Sequence, residues 1–316
     1  MNILDNLVTS VNITVPIVLI LAVGYFLGRI GFIKDSFIKT ANKLNFRVFL
    51  PCSVFASLYC NSVSFDEGMR VLIAEVILIV AIFIAAMFIA RASTQNPSQR
   101  GTMIAGILRS NYVYIGQPII CAICGITSSP IGAIVLAAIA IVANILTPLG
   151  FTLNNGKEFD MKTLIKDTFV SPYIIASIIG IILMLLKCPQ FPTFIHKSIT
   201  SLASICTPLA LVTLGASFDF GALKGNKKLL TVSCVVKLLV LPLVGVPLLL
   251  LAGFRGESFT ALYVFLACPT ATLIYAFSQE MDGDTELASQ IVVLETVLSM
   301  PTFFIGTFLL KTLGYL

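Results

Sequence analysis

The chain has 316 residues, 58% of them hydrophobic and 11% charged, with a net charge of +5 and a mean hydropathy of +1.01. A soluble domain carries roughly 25% charged residues, so this chain lacks the polar groups to solvate a globule of its size, and lipid is its expected solvent. The small basic excess is scattered among loops without a basic cluster interleaved with aromatics, which excludes nucleic acid as a partner.

Runs of about 20 apolar residues are needed to cross a ~30 Å hydrocarbon core. Such runs fall at 9–30, 36–60, 68–90, 101–124 and 129–153, then at 168–187, 192–217, 229–253, 256–280 and 286–313. The first lacks the basic flank and small-residue cleavage site of a signal peptide, so it is read as a span. Polar residues 154–167 connect two groups of five. The second group repeats the first: Pro16 and Gly24 recur 156 residues on as Pro172 and Gly180, and Phe37, Ile38 and Pro51 recur 157 residues on as Phe194, Ile195 and Pro208. An odd number of spans per copy turns the second copy upside down, so the expected organisation is an inverted repeat of 1–153 and 168–316. That is a common scaffold of secondary transporters.

Short loops carry Arg70, Lys187, Lys197, Arg255 and Lys311 on the side shared by the termini. The opposite side carries Arg29, Lys34, Lys39, Lys43, Arg47, Arg91, Arg100, Lys157, Lys162, Lys166, Lys224, Lys227 and Lys228. The positive-inside bias makes the second side cytoplasmic and both termini extracytoplasmic, in a multi-pass protein of the cell membrane. Seven of the eight cysteines lie within or at the ends of apolar runs and read as small hydrophobes. Cys121 and Cys124 have a metal-like spacing but no second pair.

Prolines fall inside several spans, at Pro51, Pro118, Pro208, Pro242 and Pro269; each removes a helical hydrogen bond. Two stretches are poor helix and poor lipid-facing surface: Arg109 to Pro118 (RSNYVYIGQP) and Ala267 to Tyr275 (ACPTATLIY). Half the chain length, 158, carries Asn111 onto Pro269. At 1.5 Å per residue both lie near mid-membrane, where interrupted helices leave free N–H and C=O groups and half-helix N-termini favour anions.

Four ionisable residues sit deep in spans: Glu75, Arg109, Lys237 and Glu295. Each costs at least ~2.5–3.5 kcal/mol facing lipid at the helix centre, so each needs a partner or a wet cavity. Arg109 is read either as a bidentate holder of a substrate carboxylate or as the ion-pair partner of Glu295. Lys237 is expected to snorkel or pair; Glu75 either couples a proton or merely reaches the interface. Asn144 and Gln117 are expected to bond substrate or each other, Tyr112, Tyr114 and Tyr275 to line an apolar slot, and His196 to sit at an interface.

The runs Gly24–Ile33 (GYFLGRIGFI) and Asn42–Pro51 (NKLNFRVFLP), with Asn111, Ile115–Pro118 (IGQP), Thr207–Ala216 (TPLALVTLGA) and Cys268–Thr270 (CPT), resemble the auxin efflux carrier family over essentially the whole chain. That family spans plant auxin carriers and bacterial permeases for malate, malonate and related acids; the chain lacks the long central loop of many plant members. The resemblance implies an all-α membrane protein of ten helices, five plus five, with broken helices 4 and 9 crossed, in the fold of bile-acid/sodium symporters. It further implies a scaffold of helices 1, 2, 6 and 7 that forms a homodimer, and a transport domain of helices 3–5 and 8–10 that moves as an elevator.

The residues expected to bind substrate are Arg109, Asn111, Tyr112, Gly116, Gln117, Pro118, Asn144, Pro269, Thr270, Thr272 and Glu295, with Glu75 and Lys237 in coupling. The expected function is secondary transport of small organic anions, mono- or dicarboxylates such as malate, malonate or auxin-like acids, without a cofactor. Proton or sodium coupling stays open, as does an ion-coupled symporter or antiporter of the same fold. Neither broken stretch holds the Asp or Glu an antiporter needs at its crossing. A ligand-binding receptor lacks an output domain here, and one histidine with neither H-E-x-x-H nor G-x-S-x-G leaves no enzyme site to assemble.

Overall fold

The computed structural model describes residues 3–59, 64–155, 170, 172–186, 188, 191–218 and 227–316. Cys60, Lys157, Lys162, Lys166, Lys187, Lys224 and nearly all of the expected connector lie outside them. The described residues are helical, and their only β pairing is one isolated bridge between Ser110 and Thr270.

In chain order the helices are α1 (Ile3–Arg29), α2 (Asp35–Leu44), α3 (Leu50–Tyr59), α4 (Phe65–Ser93), α5 (Pro97–Leu108), α6 (Gln117–Cys124) and α7 (Pro130–Asn155). Then follow α8 (Pro172–Leu185), α9 (Thr193–Ala216), α10 (Lys227–Val235), α11 (Leu241–Leu251), α12 (Gly256–Ala267), α13 (Leu273–Glu280) and α14 (Thr285–Thr312). Among the described residues, six helical stretches are long and apolar enough to cross a membrane: α1, α4, α7, α9, α14 and the continuous run Lys227–Leu251. The face of α4 shows why lipid is the solvent. Ile73, Ile77, Val80, Ile84 and Phe88 are exposed at helical spacing, a wholly apolar stripe, while Val71, Glu75, Ile79, Ile82 and Ala86 on the opposite face are buried.

Among the described residues there are three wide π turns: Asn45–Phe49 and Val236–Val240 within continuous helix, and Tyr112–Gly116, which opens the helical stretch after the break at 109–111. Each ends two residues before a proline, Pro51, Pro118 or Pro242. A proline ring clashes with the carbonyl four residues back and offers it no N–H. Those carbonyls belong to Arg47, Tyr114 and Leu238, the third residue of each π turn, so the wider turn absorbs the clash without ending the helix. Pro208 sits inside α9 without such a turn.

Two packing groups result. In one, α1 lies along α9, and α3 packs on α8 and α9. The α1–α9 seam is a backbone-to-backbone contact: a methyl group on Gly24 would overlap the Val212 carbonyl, and one on Gly215 the Leu21 carbonyl. Asn45 fastens the same group by donating to Cys206 O at 3.1 Å, and Thr213 Oγ1 donates to Asn42 Oδ1 at 2.8 Å. In the other group α4, α5 and α7 pack together, α10 and α13 lie against α14, and α12 packs against α11 and α6. The groups meet where α1 crosses α14 and α9 approaches the π turn after Asn111.

Candidate functional site

The two poor-helix stretches are the breaks between α5 and α6 and between α12 and α13, and they pair with each other. Asn111 N donates to Pro269 O at 2.8 Å, and Ala271 N donates to Arg109 O at 3.1 Å, the exchange of an antiparallel bridge. Side chains complete the knot. Thr270 Oγ1 lies 2.6 Å from Gly106 O and 3.1 Å from Arg109 O; Ser110 Oγ donates to Phe265 O at 2.8 Å; Thr270 N donates to Glu295 Oε2 at 3.0 Å. Backbone groups freed at membrane depth cost several kcal/mol each when left bare, and here each break supplies the other's partners.

In front of the knot is a cavity of about 140 Å³ lined by Arg109, Asn111, Tyr112, Tyr114, Asn144 and Thr272 together with Phe46 and aliphatic residues of α7. Asn111 and Thr272 begin the second halves of the two interrupted helices, and neither side chain caps its helix. The positive ends of both half-helix dipoles therefore start at the cavity wall. Asn111 is buried and its Nδ2 has no hydrogen-bond partner.

Arg109 reaches into α7 from the first break. Its Nη2 donates to Asn144 Oδ1 at 2.8 Å, and its Nη1 to Thr147 Oγ1 at 3.2 Å and Ala143 O at 3.3 Å, with the Phe277 ring centroid 4.9 Å from the guanidinium carbon. Asn144 and Thr147 stand one turn apart on α7 and so share the face that Arg109 meets. These contacts orient a planar cation in the wall of the cavity it lines.

A larger cleft of about 460 Å³ adjoins this cavity, and Tyr114 and Thr272 line both. One wall is Asp35, Asn42, Thr213, Leu214, Ser217 and Phe218, from the α1–α3/α8–α9 group; the other is Tyr114, Thr272, Tyr275, Ser289, Val292 and Val293.

Three expectations about the deep charges are corrected. Glu295 is not the ion-pair partner of Arg109: its carboxylate accepts from Ser233 Oγ at 2.8 Å and from Thr270 N, because α14 presents it to the rear of the knot. Lys237 does not snorkel. It is wholly buried, and its Nζ donates to Ser110 Oγ at 2.8 Å and Ile107 O at 3.0 Å, because the π turn after α10 aims it inward. Glu75 does not reach the interface; it is wholly buried on the packed face of α4, and neither carboxylate oxygen has a hydrogen-bond partner.

Of the remaining expected residues, Gln117 does not bond Asn144: its amide lies over Gly132 at the start of α7. Gly116 packs against the Tyr112 ring and Cys268. Tyr112 is 1% exposed and turns its hydroxyl to Ala261 O at 3.3 Å, so it closes the cavity's rear, whereas Tyr275 is exposed at the cleft. Gly116, Gln117, Pro118, Pro269, Thr270 and Glu295 do not line the cavity. Sequence reasoning passed over Ser110, Thr147 and Ser233. Only Thr147 had a signal in the sequence, one turn from Asn144 on the same helix. His196 lies in α9, half-buried.

Interrupted apolar helices that meet at a cavity holding a few polar groups, inside a chain with lipid-facing stripes, describe a multi-pass membrane transport protein. Residues 9–306 match the membrane transport protein family, and the chain belongs to that family, which is auxin efflux carrier-like. It is 24% identical over 295 residues to an "uncharacterized transporter" of Methanothermobacter thermautotrophicus, covering 92% of this chain and 95% of the relative. It is 23% identical over 301 residues to an "uncharacterized transporter" of Methanocaldococcus jannaschii, with the same shares covered.

Proposed function

We propose that the protein is a secondary carrier of small organic anions, a mono- or dicarboxylate of the malate or malonate kind, bound where the two breaks meet. The observation that carries this reading is the unpartnered Asn111 amide beside the Arg109 guanidinium in a cavity walled by two uncapped half-helix N-termini. A carboxylate satisfies all of these at once: it accepts from the amide, neutralises the guanidinium and lies on both dipoles. The cavity's 140 Å³ is well below the roughly 300–1,000 Å³ of pockets for drug-sized ligands. That favours an acid of a few carbon atoms over an indole acid.

The rest of the proposal follows from the repeat. Ten spans, five plus five, make an inverted pair in which α1–α3 and α8–α9 form the scaffold and the remaining helices form the transport domain. The cleft between Ser217 and Ser289 is the path to the site, on the cytoplasmic side by the charge bias. Sliding of the transport domain along the scaffold closes that path and opens the opposite one. A scaffold-mediated homodimer and extracytoplasmic termini belong to the same proposal. One observation favours coupling to an ion, the buried and unpartnered Glu75 carboxylate.

Uptake into proteoliposomes of labelled malate, malonate and an indole acid, with sodium and pH gradients imposed separately, tests the reading. Saturable flux of a small acid, lost in Asn111→Ala while the protein stays folded, is expected. Folded protein that moves none of the small acids would overturn it.

A further inference from the structure

Behind the knot, on the far side of Ser110 from the cavity that this residue also lines, the end of α5 and the first break gather oxygen atoms. The last carbonyls of a helix lack partners within it. At α5 those of Gly106 and Arg109 accept from Thr270, while that of Ile107 faces Lys237 Nζ at 3.0 Å. Ser110 Oγ, held by its bond to Phe265 O, stands 2.8 Å from the same Nζ. The buried carboxylates of Glu295 and Glu75 lie within electrostatic range of the ammonium, and Glu75 has no hydrogen-bond partner of its own. A helix-end carbonyl, a hydroxyl and carboxylates converging on an interrupted helix are the donor set on which transporters of inverted-repeat design hold a sodium ion or proton.

Here a side chain of the protein fills that position. Lys237 is 0% exposed and its Nζ is covalently tethered to the chain, so the group cannot diffuse out of this position as a bound ion can. It comes from a π turn whose widened backbone is imposed by Pro242, and that turn faces the break. We propose that Lys237 is a tethered counterion. Its ammonium takes the place of a dissociable monovalent cation behind the crossing, so the two breaks stay knotted without a bound metal ion, and removing the ammonium uncovers a cation site. Lys237 is thus a positioning residue, acting on the substrate cavity through Ser110 and the bridge. The consequence for flux rests on the carrier reading; the cation site itself does not.

The test uses purified full-length protein and needs no substrate. Thermal unfolding is followed for the wild type, Lys237→Ala and Lys237→Met in choline chloride and in chlorides of lithium, sodium, potassium and methylammonium at matched ionic strength. The wild-type midpoint is expected to be the same in all five salts. Lys237→Ala is expected to unfold earlier in choline and to be restored, saturably, by a small cation, whose presence at about 100 times its Kd multiplies the folded-to-unfolded ratio about 100-fold. Lys237→Met, which keeps the bulk and fills the space, is expected to gain nothing from any cation. If Lys237→Ala can be purified only with a small cation present, the proposal is supported. If it fails to fold in every salt, or folds and unfolds alike in all five, the proposal is overturned. A sodium-stabilised wild type would overturn it too. In proteoliposomes, wild-type flux is expected to be unchanged when choline replaces sodium, and flux through Lys237→Ala to rise at least tenfold with the rescuing cation. Loss of substrate flux in every protein, with the thermal pattern intact, would refute the carrier reading and leave the cation site standing.

Discussion

The two breaks occupy corresponding places in the chain and pair through the same bridge, yet their side chains are used in opposite ways. The first, Arg109 to Asn111, turns a guanidinium and an amide toward the cavity and leaves one amide nitrogen without a partner. The second, Cys268 to Thr272, turns most of its polar groups back on its neighbours: Thr270 alone contacts two carbonyls of the first break's helix end and receives Glu295 at its N–H. In the proposed carrier the two interrupted helices of one design thus divide the labour, one presenting groups to the substrate and the other holding the geometry. A break with every group satisfied is stable and inert; a break with a group left over is where recognition is placed.

This contrast is sharpest at Arg109. Arg109→Ala removes a charge-assisted donor worth about 1.5–3 kcal/mol, so acid affinity should fall about 10- to 100-fold in equilibrium binding. Arg109→Lys should not restore it, since a point charge does not reproduce the fork that Asn144 and Thr147 orient.

Gly24→Ala probes a region remote from both breaks. A methyl group would force α1 off the Val212 carbonyl, and overpacking of this kind costs about 1–3 kcal/mol. The unfolding midpoint should fall while affinity for the acid holds. On the second break, Thr270→Val keeps the shape and removes a hydroxyl held between two carbonyls, at about 1–2 kcal/mol in a membrane protein. Its midpoint should also fall, with affinity in the folded fraction near that of the wild type. The smallest change in stability is expected at Asn111→Ala: the deleted Nδ2 has no partner in the protein, so the midpoint should barely move while affinity drops about tenfold.

Much of this division was legible in the chain before any coordinates. The half-length offset that carries Asn111 onto Pro269 matches the hydrogen bond between them, and the sequence already places Glu75, Arg109, Lys237 and Glu295 deep in their spans. Depth, however, is not rotation. Position along a span fixes how far a side chain lies from the interface, but its azimuth depends on local winding, and three π turns shift the phase. Lys237 lies within one of these turns and so points inward, while Arg109, at the residue where α5 stops, meets α7 rather than Glu295, one of the two partners open to it in the sequence. The apolar stripe Ile73, Ile77, Val80, Ile84 and Phe88 did carry the azimuth of Glu75, which lies off that stripe on the buried face. Partners such as Ser110 and Ser233 stayed hidden because a serine in an apolar run is a common packing residue and announces no role.

The most direct test of the account is equilibrium binding of the small acid proposed as substrate to wild type, Asn111→Ala and Thr270→Val, with unfolding midpoints measured on the same preparations. The account predicts opposite signatures: weakened binding with an unchanged midpoint for Asn111→Ala, and a lowered midpoint with unchanged binding for Thr270→Val. Wild-type affinity in Asn111→Ala would contradict it, because the one donor left over at the crossing would then have no ligand to meet.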